Sequence, residues 1–301
     1  MKNRALKKLK LIYTHTAGNG TFKTELDTVF SILSPVYDIS IFRANDLLEI
    51  KKFMQQLERD EYHTIVAAGG DGTINTVASA IISGKLNSVL GIIPAGTSND
   101  FARKIGIERS FSSAAELIRD TNIKEIDIGF ANDRFFINVF GIGILTNVSN
   151  YVNQHAKSAL GNMAYYFKGL EKMFQKLEPM RLKVTTSNTV YEDEFLFLLA
   201  LNSGAAGGFD KLVKNADISD GVFDFIGVVN KGPATIPTLF IRLMMDEHLT
   251  DERVIYFKDR NIKIESLENK RDFETNVDGE RGPKLPIKVS LEHKKLKIYG
   301  V

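Results

Sequence analysis

The stretch TIVAAGGDGTIN at residues 64–75 decides the fold, because it reads as a strand, a glycine turn and a helix in immediate succession. Thr64 to Ala68 is a short apolar run, typical of a strand that is covered on both faces. From Thr73 onward, apolar residues recur three and four positions apart, as on one face of a helix. A turn at a helix N-terminus presents backbone N–H groups, and this stretch therefore predicts a phosphate-binding site.

The same turn carries a carboxylate, Asp71, among three glycines. Glycines reach backbone angles that other residues avoid, and they place no Cβ in the way of a ligand. Because a carboxylate repels phosphate, Asp71 indicates either a bound divalent cation or a structural bond to backbone N–H groups. No GxxxxGK[ST] sequence occurs in the chain, so the turn is not a Walker-type P-loop.

The composition sets limits on the class of protein. With 301 residues, of which 44% are hydrophobic, the chain is long enough to bury the cores of two domains. A formal net charge of +2 is too small to indicate a nucleic-acid partner. The absence of cysteine excludes disulfides and thiolate chemistry and fits the reducing cytoplasm. No apolar run approaches the roughly 18 residues that span a bilayer.

Strand and helix patterns alternate through the first third of the chain, which predicts a doubly wound, mostly parallel sheet. The predicted strands are Lys10–His15, Tyr37–Phe42, Thr64–Ala68 and Ser88–Ile93, and the predicted helices are Phe22–Leu33, Leu47–Leu57 with Asp46 as its N-cap, a helix from Thr73, and Phe101–Ile105. Ligands of such sheets lie beyond the carboxyl ends of the strands. The three Gly-rich turns at 16–20, 69–73 and 94–100 would meet there in one site.

From about residue 123 the strand patterns are joined mostly by turns, which predicts an antiparallel, β-sandwich-like domain. The predicted strands are Glu125–Gly129, Arg134–Phe140, Met180–Thr186, Glu194–Asn202, Val222–Val228, Val254–Phe257, Asn261–Glu265, Ile287–Leu291 and Leu296–Tyr299. Two helical insertions are predicted, Ala159–Leu177 and Ala234–Leu249. The apolar stripe of the second insertion, which includes Met244 and Met245, is interpreted as core.

The turn at 94–100 offers hydroxyls, an amide and a second carboxylate, Asp100. Taken alone, Asp100 is interpreted as the N-cap of the helix that starts at Phe101. Taken with Asp71 at the same sheet edge, it could hold a magnesium ion against nucleotide phosphates.

Two acidic turns in the second half have both a structural and a functional interpretation. Asp278-Gly279 is a tight-turn signal that leaves Glu280 at a fixed position, either as a bare hairpin tip or as a general base. The turn at 215–221 contains Asp217 and Asp220, which form either a solvated loop or a structural divalent-cation site.

These motifs together resemble those of the diacylglycerol kinase catalytic-domain family. The resemblance rests on GGDGTIN at 69–75, PAGTSNDFAR at 94–103, the stretch 216–221 and Asp278-Gly279-Glu280, and it covers essentially the whole chain. Among family members the chain is similar to the bacterial soluble lipid kinases. NAD kinases and phosphofructokinases carry a motif similar to the first one. The second motif and Asp278-Gly279-Glu280 are therefore the features that distinguish the diacylglycerol kinase family from them. The family usually opens its first turn with Asn-Pro, where this chain has HTAGN at 15–19.

The resemblance implies an N-terminal, NAD-kinase-like α/β domain of residues 1–122 and 292–301 that binds ATP. A β-rich domain of residues 123–291 would hold the lipid, most simply diacylglycerol, which would become phosphatidic acid. Asp71 and Asp100 would organise a catalytic Mg²⁺, Glu280 would be the general base, and Asp220, with or without Asp217, would hold a structural Mg²⁺. The nucleotide would contact Thr16, Asn19, Gly69, Gly70, Gly72, Thr73, Asn75, Gly96, Thr97 and Asn99.

A lipid acceptor implies transient contact with a membrane surface, here the inner face of the cytoplasmic membrane. Basic residues at the rim could provide it, and the candidates are Arg4, Lys7, Lys8, Lys157 and Lys168. An exposed edge strand in either domain could pair two copies of the chain.

Two alternatives stay open. An NAD kinase would explain the first glycine motif, but it would not explain the second motif or Asp278-Gly279-Glu280. A non-catalytic lipid-binding regulator of the same fold would explain the motifs but not the presence of every proposed catalytic carboxylate.

Overall fold

The structure is a computed structural model that describes residues 6–97, 99–120, 122–143, 178–206, 212–268 and 272–300. The chain divides into two compact units, residues 1–127 with 294–301, and residues 128–293. The predicted helix over 159–177 and the rim candidates Arg4, Lys157 and Lys168 lie outside the described residues.

The first unit contains a parallel sheet flanked by helices. Its elements are β1 (Lys7–Thr14), α1 (Leu26–Leu33), β2 (Tyr37–Ala44), α2 (Leu47–Met54), β3 (Thr64–Gly69), α3 (Asp71–Ser83), β4 (Val89–Pro94), α4 (Asp100–Lys104), α5 (Phe111–Asp120) and the first part of β5 (Ile123–Ala131). Strands pair in the order β4-β3-β1-β2, all parallel. Every residue of β3 and β4 is buried, which agrees with the apolar runs that predicted them.

The sequence predicted the start of α2 correctly and the start of α1 wrongly. The predicted N-cap of α2 is confirmed, because the Asp46 carboxylate accepts the backbone N–H of Glu49 over 2.8 Å. The predicted helix over 22–33 is wrong at its beginning, where a 3₁₀ turn at Phe22–Thr24 precedes α1. Phe22 is fully buried against Tyr13 and Phe111, with ring centroids 5.4 and 5.2 Å away, and this packing sets the local backbone.

The second unit is built from antiparallel strands. Its elements are the end of β5, β6 (Arg134–Phe136), β7 (Val139–Ile142), β8 (Met180–Thr185), β9 (Val190–Leu201), β10 (Phe223–Val229), α6 (Thr235–Met244), β11 (Val254–Asp259), β12 (Asn261–Ser266), β13 (Thr275–Val277), β14 (Glu280–Arg281) and the first part of β15 (Ile287–Tyr299). Strands pair in the order β14-β13-β7-β9-β8-β12-β15, and β10 joins β9 to β11. A core of phenylalanine and aliphatic side chains fills it.

The single strand predicted over 134–140 is wrong, because β6 and β7 are separated at Ile137 and Asn138. The backbone N–H groups of both residues donate to the carboxylate of Asp278 instead of to a neighbouring strand. The break between β6 and β7 therefore depends on a carboxylate that is distant in the chain, and the residues around the break do not predict it.

The two predicted strands over 287–291 and 296–299 are one strand, β15. Lys294 has a φ of 50° within it, and its N–H donates to the buried carboxylate of Asp127 over 2.7 Å. The end of β15 pairs with β4 in the first unit, with Ile298 beside Leu90.

The second helical insertion is shorter than predicted, since α6 ends at Met244 and Asp246 has a φ of 60°. The interpretation of its whole stripe as core is wrong: Leu239 is buried, but Met244 and Met245 are 60% and 63% exposed. Within the described ranges, no helix is long and apolar enough to cross a membrane.

Candidate active site

The first glycine turn lies where β3 passes into α3. Gly70 is the N-cap of α3, and its carbonyl accepts the N–H groups of Thr73 and Ile74 over 2.9 and 3.1 Å. The N–H groups of a first helical turn have no partner within the helix and carry the positive end of its dipole. This turn can therefore receive an anion.

The structure brings the three Gly-rich turns together within the first unit. The N–H of Ala95 donates to the carbonyl of Gly69 over 2.9 Å, and the N–H of Gly18 donates to Ala95 over 2.6 Å. Gly70 and Gly96 are so close that a Cβ on Gly96 would lie 2.3 Å from the Cα of Gly70. Only glycine fits at position 96 without a shift of the facing turn.

A cavity of about 680 Å³ opens between these turns. Its lining includes seven of the predicted nucleotide contacts, which are Thr16, Gly70, Gly72, Thr73, Gly96, Thr97 and Asn99. The remaining lining residues are Thr14, Ala17, Gly18, Asn45, Asp46, Leu47, Pro94, Ala95, Arg109 and Phe111. Hydroxyls, amides, the carboxylate of Asp46 and the guanidinium of Arg109 thus surround a space with the size of a ligand site.

Three predicted nucleotide contacts are not among those lining residues. A Cβ on Gly69 would lie 2.5 Å from the Thr73 hydroxyl oxygen, so this glycine lets Thr73 pack under the turn. Asn75 lies on α3, and its Oδ1 is buried without a hydrogen-bond partner among the described residues. Asn19 lies in the 3₁₀ turn at Ala17–Gly20.

Asn99 stabilises the second turn through both the oxygen and the nitrogen of its side-chain amide. It has left-handed angles, φ 51° and ψ 45°, which asparagine tolerates better than most residues. Its Oδ1 accepts the N–H of Gly96, and its Nδ2 donates to the Gly96 carbonyl, both over 2.8 Å. Asn99 as a whole is 2% exposed, so these two bonds are shielded from water and close residues 96–99 into a compact loop.

The two carboxylates of the first unit begin two helices. Asp71 is the first residue of α3, and its Oδ1 accepts the N–H of Phe101 over 3.4 Å. Asp100 is the first residue of α4 and not its N-cap, which is Asn99, so the capping interpretation of Asp100 is wrong. The guanidinium of Arg103 pairs with Asp100 Oδ1 over 2.9 Å.

These two carboxylates fit the donor chemistry of Mg²⁺. Magnesium usually binds to one or two carboxylates, waters and substrate phosphates and does not need a cage of protein ligands. Among the described residues, no group of three or more histidine, aspartate or glutamate side chains could hold a metal. Asp71 therefore fits an ion that phosphates help to bind, and Asp100 would join it by exchanging its ion pair with Arg103 for the metal.

Glu280 lies in the second unit, directly after a two-residue turn. The predicted tight turn is confirmed, because Asp278 and Gly279 join β13 to β14 with φ angles of 49° and 91°. Asp278 accepts three backbone N–H groups, from Ile137 over 2.7 Å and from residues 138 and 139 over 3.0 and 2.8 Å. This fixes the turn, and the carboxylate of Glu280 then pairs with Arg134 over 3.3 Å.

Sequence reasoning did not assign a role to Asp278, although its position in an Asp-Gly turn was visible. The Asp-Gly signal predicts the backbone turn. It does not predict the hydrogen bonds of the Asp278 side chain, whose partners are about 140 residues away in the chain.

The acidic turn at 215–221 fits a divalent cation less well. Asp217 Oδ1 accepts the N–H and hydroxyl of Ser219 over 2.9 and 2.7 Å. Asp220 Oδ2 pairs with the ammonium of Lys258 over 3.2 Å, and this ammonium also lies 3.4 Å from Asp224. A metal at Asp220 would have to displace that charge, so the structural Mg²⁺ stays a prediction and no step depends on it.

The architecture defines the class: a two-domain protein with a parallel α/β unit, which carries the Gly-rich turns, and an antiparallel second unit. Two family models match the chain. One describes the diacylglycerol kinase catalytic domain and matches residues 8–131; the other describes the YegS C-terminal NAD kinase beta sandwich-like domain and matches residues 138–300. The chain belongs to the diacylglycerol kinase family and is a lipid kinase.

Similar proteins agree over nearly the whole chain. A diacylglycerol kinase of Staphylococcus aureus is 35% identical over 93% of this chain and 88% of its own length. A diacylglycerol kinase of Bacillus subtilis is 32% identical over 93% of this chain and 92% of its own. A Bacillus anthracis protein, provisionally assigned as a diacylglycerol kinase, has a crystal structure with a TM-score of 0.82, 25% identity and 99% coverage of both chains.

The family confirms the predicted fold class, with its α/β domain and its β-sandwich-like domain. It also implies ATP and usually a divalent metal.

Proposed function

We propose that this lipid kinase transfers the γ-phosphoryl group of ATP to the free hydroxyl of diacylglycerol, which yields phosphatidic acid and ADP. A bond forms between the acceptor oxygen and the γ-phosphorus, and the bond from that phosphorus to the β–γ bridging oxygen breaks. The hydroxyl proton passes to a carboxylate. The names of the 32% and 35% identical relatives support the choice of acceptor.

The contact between Gly70 and Gly96 carries the proposal. It sets two backbone-lined turns against each other at the start of α3, so that N–H groups can surround a phosphate chain from two sides. In the first unit these turns would bind the nucleotide, while the second unit would bind the lipid. Catalysis would come mostly from positioning and electrostatics, as is general for phosphoryl transfer.

Asp71 and Asp100 would hold Mg²⁺, which when bound offsets phosphate charge. Neither carboxylate is among the cavity-lining residues, but both begin helices directly after the turns that line it, and the Phe101 N–H that Asp71 accepts belongs to the residue after Asp100. The close backbone approach of the two motifs is what makes shared ligation by their side chains reasonable.

Glu280 would act as the general base for the acceptor hydroxyl. A positioned carboxylate of this kind contributes roughly a hundredfold to ten-thousandfold in rate. The three hydrogen bonds to Asp278 and the ion pair with Arg134 supply the positioning.

The acceptor resides in a bilayer, so the proposal includes transient contact with the inner face of the cytoplasmic membrane. Of the candidates, Lys7 and Lys8 lie within the described residues and are exposed, but they begin β1 and so lie at the opposite edge of the parallel sheet from the Gly-rich turns; their membrane contact stays a prediction. Pairing of two copies through an edge strand also stays a prediction.

The test measures ATP consumption with and without diacylglycerol in mixed micelles, for the wild-type chain and for Asp71→Ala. We expect lipid-dependent turnover that Asp71→Ala abolishes while its melting temperature stays close to that of the wild type. Turnover by a folded Asp71→Ala protein would contradict the assignment. Turnover with NAD as acceptor would indicate the NAD-kinase alternative, and no lipid-dependent turnover would indicate a non-catalytic regulator.

Glu280→Gln separates binding from chemistry. It should remove lipid-dependent turnover and leave ATP affinity within about twofold of the wild type, since it changes a group outside the phosphate turns. A large loss of ATP affinity would show that Glu280 is not the base.

A further inference from the structure

We infer that Arg109 binds the phosphate chain of the nucleotide, an inference that rests on the proposed function. Arg109 is the only lysine, arginine or histidine among the cavity-lining residues of the described chain. Its position, in the connection between α4 and α5, belongs to none of the motifs that predicted the site.

The guanidinium lies at the phosphate-binding turns. Nη2 of Arg109 donates to the backbone carbonyl of Thr97 over 3.0 Å, and Thr97 directly follows Gly96. Two residues later, Phe111 also lines the cavity and packs edge-on against the buried Phe22. This packing fixes the start of α5 and with it the segment that carries Arg109.

The site needs a cation of this kind. A bound Mg²⁺ would bring two positive charges, but the carboxylates of Asp71 and Asp100 would offset them, so the negative charge of the triphosphate would remain, and backbone N–H groups supply only partial charges. The nearby Arg103, which pairs with Asp100 at 2.9 Å, is not among the cavity-lining residues. The chain also has no Walker lysine. Arg109 therefore supplies a full positive charge, and its planar fork matches phosphate oxygens.

An alternative role is purely structural: Arg109 could hold the Thr97 turn through its hydrogen bond and never contact the nucleotide. The two roles differ in how the loss of affinity depends on salt. Because Thr97 belongs to a turn that would bind phosphate, loss of its support would also weaken ATP and inorganic tripolyphosphate, but by a factor that salt does not change. Loss of a direct charge contact at an exposed residue spares adenosine and weakens the two phosphate ligands by a factor that shrinks as salt screens the charge.

The experiment measures the affinities of ATP, adenosine and inorganic tripolyphosphate by calorimetry, at low and high salt. The variants are Arg109→Gln, Arg109→Lys and the matched control Arg119→Gln, which removes a partly exposed arginine of α5 that pairs with Asp120 and does not line the cavity. Melting temperatures report folding.

We expect Arg109→Gln to weaken ATP and tripolyphosphate by about tenfold or more, because a hydrogen bond to a charged group is lost. Adenosine affinity should stay unchanged, the deficit should shrink at high salt, and Arg109→Lys should restore part of the affinity. Arg119→Gln should behave as the wild type.

Unchanged ATP affinity in Arg109→Gln, an equal loss for ATP and adenosine, or a loss for tripolyphosphate that does not shrink at high salt would overturn the inference and leave the proposed function intact. A wild-type chain that binds neither ATP nor tripolyphosphate would overturn both. The two failures are thus distinguishable by the wild-type measurement alone.

Discussion

The backbones of Gly70 and Gly96 meet across the two phosphate turns, and a side chain at either position would push them apart. A Cβ on Gly96 would lie 2.3 Å from the Gly70 Cα, a contact that only backbone movement relieves. We expect Gly96→Ala to weaken ATP binding by more than tenfold and to lower the free energy of unfolding by about 1–3 kcal/mol, as overpacking does. Calorimetry with ATP and urea denaturation would measure both.

A matched control is Gly300→Ala in the same unit. The nearest atom to a Cβ at this position is a Lys124 side-chain carbon at 3.6 Å, an ordinary contact. This variant should bind ATP as the wild type does. Equal ATP affinity of Gly96→Ala and Gly300→Ala would show that the turns do not touch.

A second prediction concerns Asn99, because the contributions of its left-handed backbone angles and of its side-chain hydrogen bonds can be tested separately. Asn99→Gly keeps the left-handed angles but loses both hydrogen bonds to Gly96, whereas Asn99→Ala loses the bonds and strains the backbone. Both should weaken ATP binding. The alanine variant should be less stable than the glycine variant by about 1 kcal/mol, the cost of left-handed angles for a residue with a Cβ. Equal stabilities in urea denaturation would contradict the left-handed conformation.

The parts of this site that sequence predicted are those with a local signature. Buried apolar runs followed by glycines identified β3 and β4 and the turns after them, and parallel pairing then required the turns to meet. Arg109 was missed because nothing in its neighbourhood along the chain marks it. Its role depends on where the segment before α5 folds back, and Phe111 packing on Phe22 decides that.

In the fold, too, features with a local cause were predicted from the sequence, and features that depend on distant residues were not. Strand existence and the change from parallel to antiparallel pairing followed from residue periodicity. The break between β6 and β7 did not, because it depends on the Asp278 carboxylate from a distant hairpin. The exposure of Met244 and Met245 was likewise invisible, since a helical apolar stripe does not say how much of it the neighbouring strands cover.

Asp278 makes a third prediction. Asp278→Asn preserves the turn, because asparagine also tolerates a φ of 49°, but it turns an NH₂ group toward one of three N–H donors. A buried donor without an acceptor costs about 1–3 kcal/mol of stability. Because Glu280 is then held less firmly, kcat should fall by roughly tenfold to a hundredfold, with little change in the KM for ATP.

Asp133→Asn is the matched control, an exposed turn residue of the same unit. It should leave both kcat and urea stability unchanged. If Asp278→Asn lowers stability but not kcat, the turn does not position Glu280 for catalysis.

The last prediction concerns the buried Asp251 and the loss of the protein's stability at acid pH. Its carboxylate pairs with both Nε and Nη2 of Arg253, at 2.6 and 2.7 Å, and with Arg242 at 2.8 Å. The Arg253 hydrogen bonds, chiefly, lower the pKa of this carboxyl to about 2. In the unfolded chain the carboxyl has its ordinary pKa near 4, so between these values the unfolded state binds the extra proton.

The contribution of Asp251 to stability is therefore complete above about pH 5 and decreases as the pH falls from about 4 toward 2. Its size is on the order of 2 kcal/mol. Urea denaturation of the wild type and of Asp251→Asn at pH 7, 5, 4 and 3 tests this. The wild type should be the more stable at pH 7, and the difference should narrow by about 1 kcal/mol by pH 3, because protonation removes the same charge that the substitution removes. A difference that stays constant down to pH 3 would show that the carboxyl keeps its ordinary pKa and that its ion pairs with Arg253 and Arg242 do not hold in solution.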